Sequence, residues 1–173
     1  MKFRTLAIVA GFMFGVHSDL FAYEKEDFDR FLKTNRCIGC DLSEAIVIGK
    51  DLTNADLGET NLTDTIFRDC NLTNANLTNA KLIRSKLENT NLTKANLESA
   101  NLSWTRLDFA NMTQANLRNA LLEGSRFNGA NLNKANLTGA RLISVQFHLT
   151  YLVNAIWNDG RQCKKGSIGK CMQ

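Results

Sequence analysis

A bulky apolar residue recurs at every fifth position from Leu42 to Trp157, through units such as ADLGE, TNLTD and ANLTN, with no insertion or deletion. Of the 24 centres, eighteen are Leu and the others are Val47, Phe67, Met112, Phe127, Phe147 and Trp157. Two residues earlier the chain places Ala in 13 units and otherwise mostly Thr, Ser or Cys. On an α-helix a step of five residues advances by roughly 500°, so the centres would scatter around the axis and leave no buried face. A flat strand alternates with period two and falls out of phase at the next unit. A turn in every unit restores the phase, with the small residue and the centre pointing inward and a corner between units. The chain therefore coils into an all-β solenoid.

A longer period sets the size of the coil. Sorted by position modulo twenty, Phe67, Phe127 and Phe147 share a class, as do Asn71, Asn91, Asn111 and Asn131, and as do Asn76, Asn96, Asn116 and Asn136. Four units thus make one coil, giving about six coils and a shaft about 29 Å long at the spacing of hydrogen-bonded neighbours. Proline is absent, so every residue can offer an N–H to the ladders between coils.

The A(N/D)LXX units resemble the pentapeptide repeat family. That resemblance implies a right-handed four-sided β-helix. Lys50 departs from the pattern, standing where a small inward residue is usual.

Four segments follow. Residues 1–22 read as a signal peptide: Lys2 and Arg4 precede the apolar run Leu6 to Val16, and Ala22 is the small residue before a cleavage that leaves Tyr23 first. The run is too short to anchor in a membrane, so the expectation is an exported protein, periplasmic or extracellular, with no membrane insertion after cleavage. Residues 23–39 form an N-terminal cap, with a short helix over Glu24 to Asn35 carrying Phe28, Phe31 and Leu32 on one face, and the Cys37-x-x-Cys40 motif. Residues 40–159 are the repeats. Residues 160–173 are a Gly- and Lys-rich tail without a core pattern, similar to the segment that follows the repeats in exported family members.

Five cysteines stand at 37, 40, 70, 163 and 171. Their spacing suggests bridges Cys37–Cys40 and Cys163–Cys171 and a disulfide-stapled tail, although sequence leaves the connectivity open. Cys70 occupies an inward small position. No nucleophile–base set, phosphate-binding glycine loop or paired-carboxylate signature can be assembled, and His148 stands on an outward position. The expectation is a non-enzymatic protein without cofactors, serving as a rigid protein-binding or structural module. The alternative is a weak redox or metal function at Cys37 and Cys40.

The DNA mimicry associated with gyrase-binding members of the family calls for an acidic flank. Residues 41–69 carry seven acids and two bases, but residues 70–159 carry five acids and nine bases, and the tail adds four bases. That distribution speaks against gyrase binding, and the net charge of +4 is too small to indicate nucleic acid. The partner is instead expected to be an unidentified protein or a second copy. Its candidate surface is where outward apolar residues interrupt the polar pattern: Ile83, Trp104 and Leu121 on one side of the shaft, and Ile66 and Phe109 on the next, with Arg106 between the two aromatics.

Overall fold

The computed structural model describes residues 23–173. The expected leader, with Ala22, lies outside the described residues. One helix, α1 (Lys25–Thr34), precedes a stack of coils. Parallel bridges join residues twenty apart, from Arg36 with Asp56 to Asn136 with Ile156, so each coil holds four units. Among the described residues no continuous strand forms; each unit contributes one bridged residue, then its centre and a two-residue turn.

The unit explains itself atom by atom. In Ala75–Asn79, Ala75 and Leu77 are inward and fully buried, and Asn76 between them bridges to the coils on either side. The turn closes with the Ala80 N–H donating to the Leu77 carbonyl at 3.1 Å, and Asn79 at its third position has φ 58°. A positive φ there is the type II pattern, which favours Gly, Asn and Asp, and these supply most of the corner residues. The Asn before each centre has its own reason. Asn71 Oδ1 accepts from the Thr73 N–H at 3.2 Å and the Thr73 hydroxyl at 2.6 Å, while Asn71 Nδ2 donates to Asp51 Oδ1 and Thr53 Oγ1 in the coil above. The side chain therefore holds its own turn and links two coils. The same bonds from Thr53, joined by one from Asn71, hold the Asp51 carboxyl below the ordinary carboxylate range.

Where Ala is replaced inside the shaft, the substitute brings its own partner. The hydroxyls of Thr65, Thr90, Thr105 and Thr150 donate to the carbonyls of Leu42, Phe67, Leu82 and Phe127, so these buried polar groups are satisfied. The free Cys70 donates its S–H to the Val47 carbonyl at 3.3 Å. Burial pushes its thiol pKa up.

We label the sides by their centres: side 1 runs through Leu42 to Leu142, side 2 through Val47 to Phe147, side 3 through Leu52 to Leu152, and side 4 through Leu57 to Trp157. The ladder begins one unit earlier than position 40. Arg36 is bridged, Cys37 is the buried centre and Gly39, with φ 65°, is the corner. A Cys in place of Leu hides this unit in the sequence.

Helix α1 lies across the first coil. The Glu24 N–H donates to the Asp41 carbonyl, Asn35 Nδ2 donates to the Asp51 carbonyl, and Phe31 packs 6.2 Å from Phe67. The half-buried Lys50 sits in that first coil. At the far end the tail is not patternless: it returns antiparallel along the last coil, pairing Ile168 with Tyr151 and Gln162 with Ile156. No helix of the described residues is long and apolar enough to cross a membrane.

Replacing a fully buried centre should be costly and replacing an outward residue of the same coil should not. We expect Leu97→Ala to lower unfolding free energy by about 2–5 kcal/mol, and the exposed Lys81→Ala to change it by less than about 0.5 kcal/mol, both read from urea denaturation. Equal effects would refute the inward register.

Candidate interaction surface

Corner residues protrude from the shaft, and two consecutive corners carry large aromatics in the left-handed region. Trp104, at the corner between sides 1 and 2, has φ 62° and is 59% exposed. Phe109, at the corner between sides 2 and 3, has φ 61° and is 69% exposed. Bulky residues seldom adopt this conformation. Each ring rests against the glycine one coil on. A Cβ at Gly124 would lie 2.5–2.8 Å from three carbons of the Trp104 indole, and one at Gly129 would lie 2.7 Å from two carbons of the Phe109 ring. Only glycine leaves room for these rings beside the shaft. The signal was present in the sequence as Gly exactly one coil after each aromatic, but outward apolar residues alone do not reveal it.

Side 2, between the two corners, carries an ion-pair ladder that the sequence pattern did not expose. Glu88 receives Arg68 Nε at 3.2 Å from the coil above and Arg106 Nε at 2.9 Å from the coil below, and Asp108 meets Arg126 Nη2 at 3.2 Å. Glu88 and Asp108 are only 8% and 5% exposed. The Arg106–Glu88 and Arg126–Asp108 contacts are charge pairs without good hydrogen-bond alignment, since Glu88 Oε1 and both Asp108 oxygens accept no aligned donor. The arginines stay about two-fifths exposed. They lie between the aromatic corners, neutralised on their inner side and open on their outer side.

The six candidate residues therefore fall in two groups. Trp104 and Phe109 stand at the corners with Arg106 on the side between them, and Leu121 is exposed on side 1. Ile66 and Ile83 are half-buried and contribute less accessible surface than outward positions suggest.

The repeated unit decides the family. The Pentapeptide repeats family matches in eight copies over residues 36–74, 70–108, 110–148 and 121–156. The chain is a pentapeptide repeat protein. Its solenoid is the right-handed β-helix that solved relatives imply. A pentapeptide repeat protein from the Arabidopsis thaliana thylakoid lumen is 26% identical, with 65% of this chain covering 72% of that one and a TM-score of 0.41. Rfr23 of the cyanobacterium Cyanothece 51142 is 25% identical, with 76% of this chain covering 97% of that one at a TM-score of 0.32. QnrB1, a plasmid-mediated fluoroquinolone resistance protein, is 12% identical over 66% of this chain and 71% of that one, with a TM-score of 0.52; at that identity the likeness concerns fold alone. None of the curated protein sequences matches the chain significantly.

Both close cysteine pairs of this pentapeptide repeat protein are bonded, Cys37 to Cys40 and Cys163 to Cys171. The first pair is buried beneath α1, with Arg30 Nη2 2.8 Å from Cys40 Sγ. Asp27 completes a potential three-ligand group with these sulfurs. However, Asp27 Oδ1 already receives Arg30 at 2.6 Å and Oδ2 the Asp41 N–H at 3.1 Å, and the sulfurs are joined to each other. In this state the group ties α1 to the first coil and offers no thiolate to a metal.

The aromatic–glycine contact can be measured by a double-mutant cycle. Gly124→Ala places a Cβ against the indole in an unfavourable φ, so it should destabilise by about 1–3 kcal/mol. Part of that loss, about 1 kcal/mol, should vanish in a Trp104→Ala background, as read by denaturation of the four proteins. Strict additivity would show that the indole does not rest on Gly124.

Proposed function

We propose that this pentapeptide repeat protein is an exported, non-enzymatic, rigid binding module whose partner surface is side 2 with its two aromatic corners. One observation carries the reading: Trp104 and Phe109 are held out in a strained conformation and seated on glycines, with arginines between them. Exposed aromatics beside Arg are the composition of interaction hot spots, and strain of this kind persists where the surrounding structure holds it. The partner is another protein or a second copy. Export is supported by the leader pattern at 1–22 and by two disulfides, which suit an oxidising compartment.

Gyrase mimicry remains disfavoured, because side 2 carries Arg68, Lys86, Arg106 and Arg126 and no acidic stripe runs along the shaft. The redox or metal alternative at Cys37 and Cys40 requires a reduced pair. Thiol titration with and without reductant, joined to metal analysis of the purified protein, decides it: two reactive thiols or stoichiometric metal without reductant would favour it.

The binding reading is tested with Trp104→Ala combined with Phe109→Ala, neither of which removes an inward residue. The double variant should keep a melting temperature within a few degrees of wild type and lose at least about tenfold in partner capture or self-association. Full retention of capture, with loss instead in Asn96→Lys on side 4, would move the surface elsewhere.

A further inference from the structure

The lower end of the shaft is only half closed. Inside the stack, the N–H groups of each centre and each corner residue donate to carbonyls one coil on, and the carbonyl of the small inward residue accepts an N–H from that coil; Leu122, Gly124, Phe127 and Gly129 donate in this way to Arg141, Ile143, Gln146 and His148. In the last coil the tail takes the place of the next coil on sides 3 and 4. It accepts from Leu152 at Ser167 and from Asn154 at Cys163, and it donates from Gly169 to Thr150 and from Cys163 to Ala155. Sides 1 and 2 receive no hydrogen bond from it, although Gly169 lies against the Phe147 carbonyl and the Leu149 N–H at the border of side 2. Among the described residues, the N–H groups of Leu142, Ser144, Phe147 and Leu149 and the carbonyls of Ala140 and Val145 have no hydrogen-bond partner. Leu142, Val145 and Phe147 are half-buried where their counterparts one coil up are fully buried, and Leu149 is exposed.

We propose that this open edge binds an extended segment of another polypeptide, which adds one further layer to sides 1 and 2. The inference stands apart from the aromatic corners. Its occupant follows from the pattern of the edge, four donors to two acceptors. Two copies meeting edge to edge would set donors against donors and leave half of them unpaired. Head-to-tail stacking is blocked because α1 lies across the first coil of a second copy. A flexible peptide has neither restriction, and the tail is an example within the same chain: an extended segment already satisfies the neighbouring half of this edge and reaches Thr150, beside Leu149, at Gly169. Main-chain bonds of this kind supply affinity and the half-buried apolar residues beneath them supply specificity. The edge also lacks the Pro or inward charge that natural edges use to repel strands.

The experiment uses the full protein and a capped peptide copying residues 121–130. Inside the shaft the carbonyls of Leu121, Glu123, Arg126 and Asn128 accept the N–H groups of Leu102, Trp104, Leu107 and Phe109, so the peptide carries the complementary edge. Amide hydrogen exchange is followed residue by residue. In the free protein Leu142, Ser144, Phe147 and Leu149 should exchange at least about tenfold faster than Leu122, Gly124, Phe127 and Gly129. Millimolar peptide should slow those four by at least about tenfold, while the peptide N-methylated at its Leu121 and Arg126 positions should not. The outward pair Ile143→Lys with Leu149→Lys should abolish the protection and leave the upper coils unchanged; Lys134 already occupies an equivalent corner at φ 61°. Unchanged exchange with peptide, or slow exchange of the four in the free monomer, overturns the proposal. Protection that instead grows with protein concentration in the absence of peptide also overturns it and assigns the edge to a second copy.

Discussion

Backbone bridging between residues twenty positions apart is the constraint on which every other feature of this protein depends. Such bonds form in an unbroken stack only if each coil has the same length and each N–H is available, and the chain meets both conditions by keeping strict register and containing no proline. The five-residue unit then has little freedom. Its two inward positions must fill the shaft, its bridged position must point out, and its corner must turn with positive φ. The Asn–Leu–Thr sequence serves all of these together, because the Asn amide bonds its own turn and the coil above while Leu fills the interior.

Freedom remains at the corners, on the outward columns and at the two ends. A corner accepts almost any side chain that tolerates its backbone, which is why Trp104 and Phe109 can stand there if glycine follows one coil on. Along side 2 the outward columns are used differently, for carboxylates paired with arginines of adjacent coils. Because these carboxylates are buried, loss of an arginine would leave a charge uncompensated, and the pairing fixes cationic groups between two aromatics. The ends break the repeat altogether. One is covered by α1, held through Asp27 on the Asp41 N–H and Arg30 on the bonded Cys40, and the other by a tail that pairs with only half of the final edge.

Period and composition made the solenoid, the four-unit coil and the inward residues legible, because a repeat that must bury Leu at every fifth position has one geometric solution. The cap helix was legible from Phe28 and Phe31 at helical spacing. The first unit was not, since Cys37 stands where Leu was the marker, and neither was the tail's antiparallel return, which has no periodicity to betray it. Trp104, Phe109 and Arg106 were visible as exceptions to a pattern, whereas their support on Gly124 and Gly129 and the charge ladder beneath them were not sought at the twenty-residue offset.

What the sequence by itself determined is therefore everything that repeats: local bonds and burial at fixed spacing are encoded identically in each unit and need no knowledge of the rest. What only the tertiary structure decided is what happens once. The buried position of Glu88 between arginines of the two neighbouring coils and of Asp108 against Arg126, the seating of two rings on two glycines, and the four N–H groups left open beside the tail each depend on residues distant in sequence meeting across layers. No local pattern marks which of those meetings is completed and which is left for a partner.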